Sequence, residues 1–429
     1  MTTPVVGFAG LSHLGLVSSA AAAAKGFRVV GFDADRSLVQ DTAAGRLRVV
    51  EPCLPELLRD VASRLTWTHD ASALSGCDVI YVSVDVPTDD EGRGDESPVA
   101  DLLRTTVSVA RPATTLVVLS QVQPGFTRAH QRLTADRPDL HLFYQVETLI
   151  FGRAVERALH PERFIVGCAE SSARVSAPLE AFLRAFDCPI LPMRYESAEL
   201  AKIAINCFLV SSISTTNVLA EICERVGAEW EEIAPSLRLD ARIGSKAYLG
   251  AGLGFGGTNL NRDLEIVQGL SNRFGTDARL VSAWRANSVY RRDWTLRLLH
   301  RVVLSQCASP RVALWGLAYK QDTASTKNSP GVALAEAIAG VPVRAYDPAA
   351  RLERMLPHVD QVESPLAACE GADALLIMTP WSEFAGISAA AIAARMRGRH
   401  VVDPYRVLSA ADANAAGLSV YRLGAPELA

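Results

Sequence analysis

No two of the eight cysteines have CxxC spacing; they stand at 53, 77, 168, 188, 207, 223, 307 and 369. Neither a metal site nor a disulfide framework is therefore expected. Positive charge is not in excess either. The 43 Lys and Arg against 47 Asp and Glu leave a net charge of −4, which gives no basis for binding nucleic acid or a membrane surface. The opening MTTPVVGFAG lacks the basic segment and long apolar core of a secretory signal. Apolar runs such as Ala20–Ala24 fall short of the roughly 20 residues that cross a bilayer. No low-complexity segment or long charged run interrupts the chain. These absences leave a cytoplasmic protein as the expectation.

What is present is an alternating α/β pattern in a chain of 429 residues, too long for one ordinary core. VVGFAG, FRVVGFDAD, CDVIYVSV and TLVVLSQV read as short buried strands, with a helix over Val17–Ala24 between the first two. Such spacing predicts a parallel sheet covered by helices on both faces. From Glu196 the character changes. ESAELAKIAINCFLVSSISTTNVLAEICERVG carries apolar residues at three- and four-residue spacing with Gly only at its end, which predicts one long helix, apolar on more than one face and so buried on several sides. After about residue 300 the opening pattern returns: RVALWGLAYK parallels VVGFAGLSHLG, VRAYDPAA parallels VVGFDADRS, GADALLIMTP parallels GCDVIYVSV, and RHVVDP adds a strand. The expected fold is two doubly wound Rossmann-like domains joined by a central long-helix domain, with boundaries at 1–195, 196–300 and 301–429. The polar stretch Asp89–Ser97 reads as a surface loop.

Gly10-Leu-Ser12-His13-Leu14-Gly15 follows a strand and opens a helix, and Asp33 ends the next strand. That context is the dinucleotide fingerprint: the helix N-terminus faces a pyrophosphate, and the carboxylate takes the ribose hydroxyls and repels a 2′-phosphate, which favours NAD. Ser12 stands at the fingerprint's middle glycine, where an added Cβ restricts approach to the pyrophosphate.

The chain resembles the UDP-glucose and GDP-mannose 6-dehydrogenases nearly end to end. The likeness rests on Glu51-Pro52, Val86-Pro87-Thr88, Pro161-Glu-Arg163, Glu199-Leu-Ala-Lys202-Ile-Ala-Ile-Asn206, Asn217–Glu224, Asp240-Ala-Arg242-Ile-Gly244, Gly316-Leu-Ala-Tyr-Lys320, Tyr346-Asp347-Pro348 and Thr379-Pro-Trp-Ser-Glu-Phe384. It implies an N-terminal NAD domain, a central domain that makes a homodimer, and a C-terminal domain for the nucleotide sugar. It also implies oxidation of the sugar C6 alcohol in two hydride transfers through a cysteine thioester. Val86, Thr88, Ser120, Gln121 and Lys327 would join the fingerprint around NAD. Thr148, Leu149, Arg242, Tyr248, Gly254, Gly256, Gly257 and Lys320 would meet the substrate, with Arg242 reaching that of the partner subunit.

The resemblance implies a cysteine in the loop that here reads Gly256-Gly257-Thr258-Asn259-Leu260-Asn261-Arg262-Asp263, aligned without a gap from Asp240. Asn259 stands at the cysteine position, and a carboxamide has no lone pair suited to carbonyl attack. Gln121 replaces a threonine, Phe151 a glutamate, Arg262 a lysine and Lys327 an arginine. Lys202 and Asn206 remain, at i and i+4 on one helix face, suited to stabilising an oxyanion. Asp263 remains as a proton acceptor and Glu147 as a group that positions water or a hydroxyl. The leading expectation is an NAD-dependent dehydrogenase of a nucleotide sugar, most simply a UDP-sugar, that stops at or is diverted after the aldehyde. Two alternatives stay open: a redox-neutral epimerase or eliminase with bound NAD, and a catalytically silent binding subunit.

Overall fold

The structure, a computed structural model, describes residues 3–89, 93–170, 174–255 and 259–426. The chain divides into two compact units, Met1–Ile205 and Asn206–Ala429.

The first unit is built on an eight-stranded sheet: β1 Val5–Ala9, β2 Arg28–Phe32, β3 Leu65–Thr68, β4 Val79–Val82, β5 Thr115–Val118, β6 His141–Gln145, β7 Phe164–Cys168 and β8 Ile190–Arg194. Their order is β3-β2-β1-β4-β5-β6-β7-β8. β1, β4 and β5 are short, mostly apolar runs buried along nearly their whole length, as a sheet covered on both faces requires. The order reverses between β1 and β4, so the carboxyl ends of these strands open the crevice in which doubly wound sheets hold ligands. The sheet is not wholly parallel, as the sequence pattern suggested. β6 and β7 pair antiparallel, Tyr144 opposite Gly167. The connection between them, with only the short helix Ala154–Leu159, returns from the same end of the sheet instead of crossing it.

The second unit contains a six-stranded parallel sheet: β9 Val312–Trp315, β10 Val343–Tyr346, β11 Val359–Gln361, β12 Ala374–Ile377, β13 His400–Val402 and β14 Ser419–Tyr421, in the order β11-β10-β9-β12-β13-β14. Its first turn repeats that of the first unit. A Cβ on Gly331 would lie 2.4 Å from the Gly316 carbonyl oxygen, as one on Gly15 would lie 1.8 Å from that of Gly10. Asp347 accepts the Leu317 N–H at 2.7 Å as Asp33 accepts that of Leu11 at 2.9 Å. Asp347 is fully buried, however, and also takes the N–H of Ala318 and the indole N–H of Trp381. The carboxylate that would meet a ribose is thus consumed internally in the second sheet, while Asp33 keeps solvent access in the first.

The long helix spans Tyr195–Val226. Its length and hydropathy suffice to cross a bilayer, which no shorter run in the chain had suggested. Its polar residues nonetheless make contacts within the chain: Glu224 accepts from Trp294 Nε1 and from the Gly424 N–H, each at 3.0 Å, and Asn217 accepts the Gly252 N–H at 2.8 Å. The expectation of burial on several sides holds only in part. Phe208 is 80% exposed, and Val218, Leu219, Ile222 and Val226 are also exposed, at helical spacing along one face.

Candidate active site

The β1 turn shows why its glycines sit where they do. Gly10 has φ +96°, and a Cβ there would press on Val84 N at 2.9 Å. Gly15 lets the first helix, His13–Ala24, touch the turn that precedes it. The helix's first internal bond runs from Leu16 N to Ser12 O at 3.0 Å, so the earlier N–H groups have no helical acceptor and are presented to a ligand. Asp33 is aimed by two amides, Leu11 N to Oδ2 and Asp35 N to Oδ1, each 2.9 Å, and retains lone pairs for hydroxyls. These features fit NAD: donors for a pyrophosphate, a backbone approach that side chains would obstruct, and a carboxylate for a ribose. Gly15→Ala is expected to cost about 3 kcal/mol, the upper end for overpacking. A lowered melting temperature together with lost NAD binding in a titration would check it.

Ser12 does not lean over the helix N-terminus. Its hydroxyl donates to Ser83 O at 3.2 Å and accepts the Asp85 N–H at 3.0 Å, which ties the β1 turn to the end of β4. Along the same edge Ser120 Oγ donates to Val84 O at 2.6 Å, Thr88 Oγ1 donates to Val86 O at 3.3 Å, and Val86 and Gln121 are buried. Thr88 also pairs with Gly94 in an isolated antiparallel bridge within the expected surface loop, of which residues 90–92 lie outside the described residues. Leu14 is buried against the sheet by its side chain. Lys327 belongs to the second unit, in the turn ahead of the helix Pro330–Ala337.

Beside the helix start, buried His13 has Nε2 2.9 Å from Glu51 Oε2. Glu51 also accepts the N–H of Gly152 at 3.0 Å and of Ala154 at 2.7 Å, and the Phe151 ring packs on His13 with centroids 4.3 Å apart. Glu51 was visible in the sequence as a motif residue without a role. Here it clamps the loop after β6 to the cofactor helix.

That loop begins at Glu147. Its Oε1 accepts the Leu149 N–H, and its Oε2 lies 3.3 Å from Lys202 Nζ on the long helix. Both side chains are largely buried. Thr148 and Leu149 follow, half-buried. A cavity beneath them, lined by Leu14, Tyr81, Gln145 and Leu149 among others, holds only 60 Å³. One turn before Lys202, the fully buried Glu199 accepts the N–H of Gly125 at 2.6 Å and of Thr127 at 2.9 Å. Burial raises its pKa, against the pull of those amides. Glu199 thereby fixes the segment bearing Lys202 to the loop after β5 that carries Ser120 and Gln121. Sequence reading missed this role, because the partners are more than 70 residues apart.

In the second unit, Asn206 Nδ2 donates to Asp263 Oδ2 at 2.5 Å, and Asp263 is fully buried with Arg262 Nε 3.7 Å from its other oxygen. Asn259 is the exposed first residue of the helix Asn259–Phe274. Gly256 and Gly257 lie outside the described residues. Gly254 has φ +80° and packs on Ser288, whose hydroxyl accepts the Phe255 N–H at 3.0 Å. Tyr248 holds the long helix through its carbonyl, which accepts from Ser212 and Thr216, and leaves its ring exposed. Arg242 is exposed and forked onto Asp240. Lys320, half-buried after β9, stacks near Tyr319. The structure therefore joins Glu147 to Lys202 and Asn206 to Asp263, and leaves Arg242 turned to its own neighbour.

Burial pushes the thiols of Cys77 and Cys369 up to about 12. It also raises those of Cys168, Cys188, Cys207 and Cys223. Cys207, adjacent to Asn206, is raised further by the charge of Asp263.

Residues 5–186 match the NAD binding domain of the UDP-glucose/GDP-mannose dehydrogenase family, residues 196–288 its central domain, and residues 313–410 its UDP binding domain. The UDP-glucose 6-dehydrogenase TuaD of Bacillus subtilis (strain 168) is 30% identical over 97% of this chain and 92% of its own length. The UDP-glucose 6-dehydrogenase AglM of Haloferax volcanii is 31% identical over 93% of this chain and 96% of its own. The solved UDP-glucose dehydrogenase of the hyperthermophilic archaeon Pyrobaculum islandicum aligns with a TM-score of 0.86 at 28% identity, covering 99% of this chain and 98% of that one. With an NAD cleft at the carboxyl edge of its first sheet and matches along nearly its whole length, the chain belongs to the UDP-glucose/GDP-mannose dehydrogenase family, and is an NAD-dependent oxidoreductase acting on a CH–OH group of a nucleotide sugar.

Proposed function

We propose that this enzyme oxidises the C6 alcohol of a UDP-sugar and releases the 6-aldehyde or its hydrate. The observation that carries the reading is Asn259 in the loop position where the resemblance to the family implies a cysteine. An amide there forms no thiohemiacetal and no thioester. The thiols pushed up by burial, Cys207 among them, offer no replacement, because the thiolate is the reactive form.

Bound NAD supplies the hydride acceptor. Lys202 and Asn206, four residues apart on one helix, donate to the C6 oxygen as it loses its proton. Glu147 holds the Lys202 ammonium in place. Asp263, whose Oδ2 is turned by Asn206, takes the proton directly or through water. Residues 1–195 serve the cofactor, 196–300 form a homodimer through the exposed face of the long helix, and 301–429 hold the nucleotide. In that dimer Arg242 reaches the partner's substrate.

The test is stoichiometry. A panel of UDP- and GDP-sugars is incubated with enzyme and NAD, and NADH is counted against sugar consumed, with products identified by mass. One NADH per sugar and an aldehyde product are expected. Two NADH and an acid would sink the reading. A changed sugar without free NADH would establish the redox-neutral alternative instead.

A further inference from the structure

The segment Glu147–Ala154 is fastened at both ends by buried carboxylates, and the two ends serve different parts of the site. It runs from just after β6 to the helix Ala154–Leu159. Because β6 and β7 pair antiparallel, it stays at the carboxyl edge of the first sheet. At its start, Glu147 accepts the Leu149 N–H on Oε1, and its Oε2 lies 3.3 Å from Lys202 Nζ. At its end, Glu51 accepts the Gly152 N–H on Oε2 at 3.0 Å and the Ala154 N–H on Oε1 at 2.7 Å. Glu51 Oε2 also lies 2.9 Å from Nε2 of His13, the first residue of the cofactor helix. Between the two anchors, the Phe151 ring rests on His13 with centroids 4.3 Å apart. Glu51 and His13 are 4% and 7% exposed, so water is a poor substitute for these bonds. Val17 and Ala20 of the cofactor helix pack with Leu54, Ala154 and Val155 in a small core of their own. Buried bonds and packing thus join the helix start, Glu51 and the end of this strap.

We propose that Glu51 is a positioning residue that couples cofactor binding to sugar binding. A dinucleotide on the helix start steadies His13, Glu51 and the strap, and the far end of the strap sets the Lys202 ammonium for the sugar oxygen. The coupling to sugar rests on the oxyanion role proposed above for Lys202.

The physical link is shared ordering. A ligand that fixes one end of the strap removes part of the freedom that a ligand at the other end would otherwise have to remove. Such coupling is reciprocal, so the sugar tightens the dinucleotide by the factor with which the dinucleotide tightens the sugar. A carboxylate suits the shared position because both of its oxygens accept, and two backbone N–H groups and one ring nitrogen converge on them. An amide would offer one accepting oxygen and turn a donor toward the remaining partners.

Two measurements test this without turnover, both with ADP-ribose, which carries the pyrophosphate and no nicotinamide. The first is amide hydrogen exchange and needs no sugar. Saturating ADP-ribose should slow exchange at Gly152 and Ala154 by about tenfold in wild type, an ordinary size for coupling between sites, and leave it unchanged in Glu51→Gln. The second is calorimetric titration of ADP-ribose with and without UDP-glucose and the other UDP-sugars of the panel. For a sugar that is turned over, wild type should bind ADP-ribose about tenfold tighter in its presence. UDP alone should bring no such gain, having no sugar to meet Lys202. In Glu51→Gln the gain should fall below about twofold, whatever happens to either affinity alone. A purely structural Glu51 would lower the melting temperature and both affinities but leave that ratio intact. Should Glu51→Gln fail to fold by near-UV circular dichroism, His13→Phe replaces it, since it removes the ring nitrogen and keeps a ring against Phe151. Three results overturn the proposal: no slowing in wild type, an equal gain in variant and wild type, or a sugar that is turned over yet brings no gain. A slowed strap with no UDP-sugar turned over would instead remove the function proposed for the site and keep the coupling of cradle to strap.

Discussion

Lys202→Ala is expected to lower kcat by about a thousandfold, the upper range for deleting one oxyanion donor. Lys202 is buried and its ammonium lies 3.3 Å from Glu147. The variant therefore loses the donor proposed for the C6 oxygen and also leaves a largely buried carboxylate without its counter-charge. The second effect lowers stability, so loss of activity alone would not identify the role. Lys202→Met keeps much of the side-chain volume and should fold with a modest fall in melting temperature. Its ADP-ribose affinity should stay within about twofold of wild type, because phosphate binding draws on the helix start and not on this ammonium. A sugar deuterated at C6 supplies the second readout. If Lys202 stabilises the oxygen during hydride departure, the isotope effect on kcat should grow in the variant as chemistry becomes rate-limiting. A Met variant retaining a tenth or more of wild-type kcat would remove Lys202 from the oxyanion role and leave it a partner of Glu147.

The parts of the site that were legible in the sequence are those that local chemistry specifies. Gly10 and Gly15 had to be glycines for the turn to close against the helix, and Asp33 had to end β2, so a local spacing carried the whole cofactor signal. The same rule made Gly316 and Asp347 visible as a second copy, while Gly331 emerged only from the fold. What the pattern did not show was that Asp347 is consumed by Leu317, Ala318 and Trp381. The unread parts are long-range polar pairings. Glu51 with the loop at Gly152, Glu199 with Gly125, and Ser12 with Asp85 join residues 101, 74 and 73 positions apart. Neither periodicity nor turn chemistry specifies such partners; they follow from which strand ends lie side by side. The antiparallel β6–β7 pair escaped for a related reason, since a short apolar strand carries no mark of its direction. The long helix was legible to within a residue at each end, whereas its uncovered apolar face depends on what lies outside one chain.

Asn259→Cys is expected to add a second oxidation to the single one proposed for the wild-type protein. Asn259 opens the helix Asn259–Phe274, so a thiol at that residue sits at a helix N-terminus, where the macrodipole favours the thiolate. Asp263, four residues on, is buried and already held by Asn206. The thiolate adds to the aldehyde carbon and its oxygen becomes an alkoxide, which the Lys202 and Asn206 donors stabilise. Loss of hydride from C6 to the cofactor leaves a thioester, and water then releases the acid and restores the thiol. The yield should move from one NADH per sugar toward two, with acid as product. Quenching with acid during turnover should reveal, by mass, a sugar adduct on the introduced thiol, absent from wild type. Hydrolysis should be the slow step, because Phe151 stands where the resemblance implies a second glutamate, and an aromatic ring positions no water. The adduct should therefore accumulate, and Phe151→Glu in the same chain should drain it and speed acid release. If Asn259→Cys produced neither adduct nor acid while still making aldehyde, the missing sulfur would not be what ends the reaction at that stage. The cause would then lie in how Gln121 and the loop after Glu147 seat the sugar.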